Sequence, residues 1–176
     1  MIASRTFLLL LIALVTLLII TALLRATERP FRKLEEIAYK ETGAYAAWLG
    51  GTAAMLAISY LPAIQVLLEA LDLIYGSLSM ANTPLNVKKC FTAALTASCI
   101  ILLIATACFW CWIILAGFIT RPVLGKAALQ EEMALNNISY FICRYTIIIL
   151  CMLVLMPFYL VVLRYFLPAV NTPFYR

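Results

Sequence analysis

Four long apolar runs constrain the fold of this chain more than any other feature of its sequence. An α-helix needs about 20 mainly apolar residues to cross the hydrocarbon core of a bilayer. Of the 176 residues, 66% are hydrophobic and only 12% are charged, whereas a soluble domain is about one-quarter charged. The sequence therefore predicts an all-α integral membrane protein, a single membrane domain over residues 1–176 with four transmembrane helices. The predicted spans are Phe7–Leu24, Gly43–Leu61, Phe91–Phe118 and Ile138–Leu163.

The first span shares one feature with a signal peptide, because Arg5 precedes its apolar run. The run from Phe7 to Leu24 is longer, however, than the roughly 7–15 apolar residues of a signal sequence. No clear small-x-small cleavage site follows it, although Ala22 and Ala26 leave that alternative open. We expect this segment to remain in the protein as a transmembrane helix.

The distribution of Lys and Arg predicts the orientation, because cytoplasmic loops of membrane proteins are enriched in these residues. Seven Lys and Arg residues fall in or beside the first and third predicted loops, and five fall on the other side. We therefore expect both of these loops in the cytoplasm and both termini outside it. The seven are Arg25, Arg29, Arg32, Lys33, Lys40, Arg121 and Lys126; the five are Arg5, Lys88, Lys89, Arg164 and Arg176.

The first and third loops share the same order of residue types. Each has Arg-Pro, a Lys and a Glu-Glu pair before the next span begins. The shared order indicates a tandem repeat of two helical hairpins, residues 1–82 and 83–176, although any cytoplasmic loop collects Arg, Lys and Glu. Because Pro fits the first turn of a helix, we expect each Arg-Pro to open a short interfacial helix. The matched elements are Arg29-Pro30 with Arg121-Pro122, Lys33 with Lys126, and Glu35-Glu36 with Glu131-Glu132.

Two hairpins with an acidic pair before a small-residue-rich span resemble the YjfL-like family of short, four-span bacterial membrane proteins. The segment "ETGAYAAWLGG" at 41–51 is similar to the family's Gly-Asn-x-Ala-x-Ala motif, with Ala44 where the family has Asn. In the second hairpin, "ALNNISYF" at 134–141 carries Asn136 and Asn137 but lacks the small residues. The resemblance implies a multi-pass protein of the bacterial inner membrane, a link to envelope maintenance, and no catalytic residues.

The second span carries small residues at helical spacing. Gly43, Ala47, Gly50, Ala54 and Ala57 follow one another at steps of four, three, four and three, which places them on one helix face. Helices in lipid associate by close backbone approach at such faces. We expect this face to pack against the third span of the same chain. The alternative is an interface between copies in a homo-oligomer.

A polar stripe follows Pro62. Gln65, Glu69, Asp72 and Gly76 recur at steps of four, three and four on an otherwise apolar helix. A single helix over the second span and this segment would greatly exceed the roughly 30 Å hydrocarbon core. We therefore expect a separate helix that lies in the membrane interface with its stripe facing water. In the alternative, the two carboxylates line a pore or a proton path.

Six cysteines raise the question of metal or redox chemistry. Cys108 and Cys111 form a Cys-x-x-Cys motif inside the third span, where thiols three residues apart on a continuous helix rarely meet disulfide geometry. The chain has no His, so a zinc site would need several cysteines at one depth. We interpret all six cysteines as small apolar residues and expect no metal and no cofactor.

Arg144 is the only charged residue well inside a predicted span. With the span starting near Ile138, Arg144 lies about 9 Å below the cytoplasmic boundary, at about 1.5 Å per residue. Its side chain points back toward that boundary, so we expect it to snorkel past Tyr140 to lipid phosphate. The alternative is that it anchors an anionic ligand, or Glu35 or Glu36 of the first loop.

The sequence contains no nucleotide-binding loop, nucleophile triad or metal motif, so we do not expect an enzyme. The acidic residues lie in loops and at membrane edges, which argues against a proton-coupled transporter. We expect a non-catalytic scaffold or accessory subunit that binds lipids, or a membrane or cytoplasmic protein, at the cytoplasmic face. The modest net charge of +5 favours anionic lipid over nucleic acid.

The alternative function is an oligomeric channel-like or transport component. Under either interpretation the charged residues of the two loops and the arginine of the fourth span are the candidate contacts for a partner or for lipid. These candidates are Arg29, Glu35, Glu36, Arg121, Glu131, Glu132 and Arg144.

Overall fold

A computed structural model describes residues 2–33, 40, 42–80, 87–125 and 128–167, with side chains given for 6–31, 40, 42–76, 91–125 and 128–167. Within these residues the only regular secondary structure is helical. Four long helices alternate with short elements and loops. In chain order the elements are α1 (Ile2–Thr27), the 3-10 helix η1 (Arg29–Lys33), α2 (Gly43–Met80), α3 (Val87–Leu124), α4 (Leu129–Ala134) and α5 (Ile138–Tyr165).

The four long helices, α1, α2, α3 and α5, are each long and apolar enough to cross a membrane, which confirms the predicted all-α membrane fold. At about 1.5 Å per residue, the 26 residues of α1 extend about 39 Å and the 28 residues of α5 about 42 Å. Helices α2 and α3 have 38 residues each and extend about 57 Å. Because the hydrocarbon core is about 30 Å thick, α2 and α3 project beyond it.

Helix α2 forms the centre of the bundle. In its most apolar stretch 56% of the residues are buried inside the protein, against 22% for α1. The core around α2 includes Tyr60, Phe109 from α3 and Ile148 from α5, all of which are nearly inaccessible to solvent. Helix α1 adds Leu8 and Leu23 to the same core. Helices α2, α3 and α5 pack extensively against one another, whereas α1 makes few contacts with the other helices.

Helices α1 and α3 end where α2 and α5 begin, so the two predicted cytoplasmic loops lie at the same end of the bundle. Phe31 from the first loop and Met133 from the third loop share one hydrophobic cluster there. We call this end the basic end, after Arg25, Arg29 and Arg121. The last residue of α2, Met80, and the first residue of α3, Val87, lie at the opposite end.

The separate interfacial helix predicted after Pro62 is wrong, because α2 continues through this proline without interruption to Met80. The predicted polar stripe is exposed, as expected. The opposite face of the same segment is buried in the protein core, at residues such as Val66 and Leu71. Since protein rather than the membrane interface covers the apolar face, the segment stays part of the bundle.

The predicted packing of Gly50 against another helix of the same chain is also wrong, and its alternative role between copies of the chain stays a prediction. No heavy atom outside its own helix backbone lies within 4 Å of the position that a Cβ at Gly50 would occupy, whereas a Cβ at the next residue, Gly51, would meet the ring of Tyr145. Gly50 and Ala57 are exposed, while Ala47 and Ala54 are half-buried. The small-residue face is therefore rotated partly outward, because bulky side chains such as Met55 fill the interior side of α2.

The two Arg-Pro dipeptides occupy different structural settings. Arg29-Pro30 opens η1, as the sequence predicted. Arg121-Pro122, in contrast, lies inside the last turn of α3, so the prediction that it opens a helix is wrong. The Glu-Glu pair of the third loop does lie in a short helix, α4, whereas that of the first loop lies outside the described residues. The tandem repeat of hairpins stays a prediction.

Candidate functional site

The first and third loops pack against each other at the basic end. The side-chain amide of Gln130 in α4 donates a hydrogen bond to the carbonyl oxygen of Pro30 in η1, over 2.6 Å. Phe31 is only 1% exposed, and its ring lies edge-on to Trp48 with 5.3 Å between ring centroids. These contacts join both loops to the start of α2. The hydrophobic cluster formed here contains Phe31, Ala44, Trp48, Met133, Tyr140 and Phe141.

Two adjacent asparagines hold the N-termini of two different helices. The side-chain oxygen of Asn136 accepts a hydrogen bond from the backbone N–H of Ala44, at the start of α2, over 3.0 Å. The side-chain oxygen of Asn137 accepts one from the N–H of Tyr140, at the start of α5, over 3.2 Å. Because the first N–H groups of a helix have no partner within it, each asparagine stabilises one helix end. Together they fix the starts of α2 and α5 side by side.

Gly43 allows these two helix starts to approach closely. A Cβ atom at Gly43 would lie 2.5 Å from Cδ1 of Ile138, the first residue of α5. That distance is shorter than any normal carbon–carbon contact, which is about 3.5–4.0 Å, so a larger residue would force the Ile138 side chain to shift. The predicted packing role of Gly43 therefore applies to the fourth span and not to the third.

The acidic pair of the third loop interacts with the N-terminal ends of two helices, α4 and α5. Glu131 and Glu132 lie in the first turn of α4, where negative charge interacts favourably with the helix dipole. Glu132 also accepts a hydrogen bond from the side-chain amide of Asn137 over 2.7 Å. This contact orients the asparagine that caps α5. Glu131 is exposed.

Glu28, which the sequence analysis did not single out, joins the end of α1 to the start of α2. The hydroxyl of Tyr45 donates a hydrogen bond to Oε1 of Glu28 over 3.0 Å, and Nζ of Lys40 lies 4.0 Å from the same oxygen. The lysine side chain is 40% exposed, so solvent screens this ion pair and it contributes little by itself. The tyrosine contact is the more specific link.

The structure does not gather the other predicted loop residues into one site. Arg29 is exposed in η1. Arg121 is also exposed, and its guanidinium carbon lies 5.4 Å from the centroid of the Phe118 ring. Glu35 and Glu36 lie outside the described residues. Arg144, the predicted residue of the fourth span, lines a cavity between the helices at the basic end.

This space is a cavity of about 160 Å³, with walls from all four long helices and from both loops. The side chains of Phe31, Trp48 and Trp110 make much of the wall apolar. Arg144 is the one charged residue among the described residues that line it. The cavity therefore combines a single positive charge with aromatic and aliphatic walls.

The side chain of Arg144 points toward the basic end, as the sequence predicted. Its Nη1 atom donates a hydrogen bond to the hydroxyl of Tyr140, one turn earlier in α5, over 3.3 Å. No carboxylate among the described residues forms an ion pair with Arg144. A guanidinium carries five N–H donors, so the arginine has further donors for a group that enters the cavity.

The hydroxyls of Thr52 and Tyr145 lie together in the wall, which also contains Thr27. Thr52 donates a hydrogen bond to the carbonyl oxygen of Trp48 over 2.8 Å. The hydroxyl of Tyr145 lies 2.9 Å from that of Thr52 and must be the donor, because the threonine proton is already used. Sequence reasoning missed both residues, although a polar Thr after two glycines and a Tyr beside Arg144 were visible in the sequence.

A second cavity at the same end lies on the outer side of α1. It has a volume of about 430 Å³ and is lined by Arg25, Arg29 and Thr21 together with apolar residues of α1. Arg25 lies in the last turn of α1 and Arg29 at the start of η1, and both line this pocket. The basic end thus presents cationic side chains both inside the bundle and on its surface.

Comparison of this chain with known proteins assigns it to no family. No protein-family model, no curated protein and no solved structure matches the chain. The resemblance to the YjfL-like family therefore stays a prediction. The function has to be argued from the geometry of the basic end.

Proposed function

We propose that the protein is a non-catalytic membrane scaffold that binds an anionic phospholipid at its basic end. The observation that carries this proposal is Arg144, a cation without a described carboxylate partner on the wall of an otherwise apolar cavity. A phospholipid supplies both complementary parts, a phosphate for the arginine and an acyl chain for the apolar wall. Arginine is suited to this role because its planar guanidinium binds phosphate oxygens in pairs.

The position of the cavity supports a lipid as the ligand. The indoles of Trp48 and Trp110 lie at its wall, and Trp is enriched at the level of lipid headgroups in membrane proteins. Arg25 and Arg29 add positive charge to the same end of the bundle. Basic residues beside a membrane attract anionic lipids by about 1 kcal/mol each. The inside and the surface of the basic end therefore favour the same class of ligand.

A binding role fits the chemistry of the cavity better than catalysis does. General acid–base catalysis uses His most often, and also Asp, Glu, Lys, Tyr and Cys. Of these types, Tyr145 alone is among the described residues that line the cavity, and the other polar groups there are the guanidinium of Arg144 and the hydroxyls of Thr27 and Thr52. Because the Tyr145 hydroxyl is hydrogen-bonded to Thr52, this lining is better suited to hold and orient a ligand.

The scaffold role follows from the two loops that close the cavity. Phe31 of the first loop and Leu129 at the start of α4 both line it, and Gln130 ties the loops together. A lipid bound between them would hold the loops in one arrangement and present it to a protein partner. We place the basic end in the cytoplasm of a bacterial inner membrane, where Lys and Arg accumulate in loops.

The test is the lipid that the purified protein retains. Wild-type protein in nanodiscs of phosphatidylcholine with a minor fraction of phosphatidylglycerol should enrich phosphatidylglycerol in its bound lipid, as measured by native mass spectrometry. Arg144→Leu should abolish the enrichment, and Arg144→Lys should reduce it, because an ammonium lacks the paired donors. Arg121→Leu is the matched control, since this arginine is exposed and stacks on Phe118.

Equal enrichment in wild type and Arg144→Leu would contradict the proposal. A stoichiometric protein that co-purifies with wild type but not with Arg144→Leu, in the absence of lipid enrichment, would assign the cavity to a protein partner instead.

One observation favours a second candidate function, an oligomeric channel-like component. The small-residue face of α2 is partly turned outward, with Gly50 and Ala57 exposed. Exposed small residues permit close contact with a helix of another copy. Gly50→Leu should then convert an oligomer to a monomer in mass measurements in nanodiscs. A monomeric wild type would remove this candidate and leave the lipid proposal unaffected.

A further inference from the structure

The cavity that Arg144 lines and the pocket on the outer side of α1 share part of one wall; we call them the inner cavity and the outer pocket. Ala26, near the end of α1, lines both of them. Its neighbour Thr27 lines only the inner cavity, and its other neighbour Arg25 lines only the outer pocket. The two spaces therefore lie on adjacent sides of the same helix end.

The inner cavity has room for only one end of a lipid. Its volume of about 160 Å³ is below the roughly 300–1,000 Å³ of pockets that bury most of a drug-sized ligand, and a phospholipid is larger than such a ligand. A phosphate on Arg144 and the atoms next to it would lie inside, so the rest of the lipid lies outside. The outer pocket, with a volume of about 430 Å³, offers space beside the wall that the two share.

Each of the two spaces has its own positive charge. Arg144 lines the inner cavity, whereas Arg25 and Arg29 line the outer pocket. Among the described residues, none of the three arginines forms an ion pair with a carboxylate. Glu28, which precedes Arg29 in the sequence, accepts a hydrogen bond from Tyr45 at the start of α2. The three cations therefore suit a ligand with more than one negative charge.

The end of α1 is open to a lipid that approaches from the membrane. Helix α1 makes few contacts with the other helices, and Ala22, Arg25 and Arg29 are exposed on it or directly after it. The residue of the shared wall, Ala26, has only a methyl group as its side chain and is half-buried. A short linker can pass beside this small residue.

We propose that one lipid with two phosphates, cardiolipin, binds across the inner cavity and the outer pocket, an inference that rests on the proposed lipid-binding function. One phosphate pairs with Arg144, and the other pairs with Arg25 and Arg29. The glycerol bridge between the two phosphates passes beside Ala26. Basic pockets between transmembrane helices on the cytoplasmic side are suited to the headgroup of cardiolipin.

Two phosphates in one molecule bind more tightly than two separate phosphates. Once the first phosphate is bound, the second is held at a high effective concentration near its own arginines, and such linkage raises the overall affinity by about 10²–10⁴-fold. The arginines of the outer pocket are exposed, so salt screens their attraction. We therefore expect a smaller gain for cardiolipin, of about tenfold.

The experiment titrates the full chain in detergent with cardiolipin or with phosphatidylglycerol at equal phosphate concentration, and native mass spectrometry counts the bound lipids. Wild type should bind one cardiolipin per chain, about tenfold more tightly than phosphatidylglycerol. Arg25→Gln with Arg29→Gln should remove most of this difference. The affinity for phosphatidylglycerol should fall much less, because Arg144 holds its single phosphate, and this remaining binding shows that the variant is folded.

Arg121→Gln with Lys126→Gln is the matched control, since it removes the same amount of charge from the third loop. Neither residue is among those that line the inner cavity or the outer pocket in the described part of the chain. We expect this variant to keep the preference of the wild type for cardiolipin. An equal loss in both double variants would overturn the inference, because net charge alone would then explain the preference.

Equal affinities of wild type for the two lipids would also overturn the inference, as would a preference for cardiolipin that survives Arg25→Gln with Arg29→Gln. Two phosphatidylglycerol molecules bound as tightly as one cardiolipin would show that the two spaces act separately. These results are distinct from a failure of the proposed function. If Arg144→Leu retains phosphatidylglycerol, the proposed function fails and this inference with it, whereas loss of that lipid with equal affinities in wild type removes this inference alone.

Discussion

The hydroxyl of Tyr159 in α5 donates a hydrogen bond to the backbone carbonyl of Ser59 in α2, over 2.7 Å. This carbonyl lies three residues before Pro62, which has no N–H to donate to the carbonyl of Ile58. Proline is tolerated in a membrane helix where neighbouring helices supply donors near the interrupted hydrogen bonds. The tyrosine of the fourth span thus ties α5 to α2 one residue after the carbonyl that Pro62 leaves without its helix donor, in a region where α2 continues as one helix.

Tyr159→Phe should lower the stability of the bundle, because it removes this donor and leaves the ring in place. We expect a loss of about 0.5–1.5 kcal/mol in the free energy of unfolding, the usual contribution of one hydrogen bond. Thermal unfolding in detergent measures it. Tyr165→Phe is the matched control, since Tyr165 is 84% exposed. An equal effect of the two variants would show that the contact to Ser59 does not support α2.

Gly51 and Gly50 provide a paired test of helix packing. A Cβ at Gly51 would overlap the ring of Tyr145, whereas one at Gly50 would meet no neighbouring atom. Gly51→Ala should therefore destabilise the protein by about 1–3 kcal/mol through overpacking. Gly50→Ala should be neutral, or stabilising by up to about 1 kcal/mol, because Ala favours the helix over Gly. Chemical unfolding curves would compare them, and the reverse order would place Gly50 at the contact.

Asn136 offers a test of the cap that joins two helices. It adopts a φ of 51°, a left-handed conformation that Gly accepts without strain. Asn136→Gly therefore removes only the hydrogen bond to the N–H of Ala44, and leaving that buried group unpaired costs about 1–3 kcal/mol. Asn136→Ala should be less stable still, because Ala also disfavours the left-handed backbone. Unfolding of Asn136→Gly at the wild-type temperature would contradict the role of this cap.

Topology is tested by labelling single cysteines in a background that lacks the native ones. With the basic end in the cytoplasm, cysteines at Lys33 and Lys126 should be shielded from a membrane-impermeant thiol reagent in intact cells. A cysteine at Lys88, beyond the opposite end, should react. Labelling of the first two positions with protection of the third would invert the orientation.

Sequence alone determined the class and the number of spans. Four apolar runs of about 20 residues each match the thickness of a bilayer. Lipid covers their apolar side chains, and an α-helix satisfies its own backbone hydrogen bonds, so this outcome depends on no contact elsewhere in the chain. Sequence alone did not predict that α2 continues past Pro62, because this outcome does depend on contacts elsewhere in the chain. Whether a helix continues past Pro62 depends on how the following segment packs, and the burial of residues such as Val66 and Leu71 in the core of the bundle is not visible in any local pattern.

Sequence also identified Arg144 and its direction, because a charge within an apolar span is visible in the sequence and helical side chains point toward the N-terminus. Only the tertiary structure showed the cavity that this arginine lines, since its wall comes from six separate elements. The same holds for Asn136, which caps a helix that begins 93 residues earlier in the chain.

The cysteines also show the difference between what the sequence determines and what the tertiary structure determines. Cys108 and Cys111 by themselves indicated only small apolar residues, because two thiols three residues apart on a helix make neither a disulfide nor a complete metal site. Met152 and Met156, about 40 residues later in the sequence, line the same pocket as these cysteines only because α3 packs beside α5. Spacing along one helix fixes which side chains share a face, whereas packing decides what that face meets.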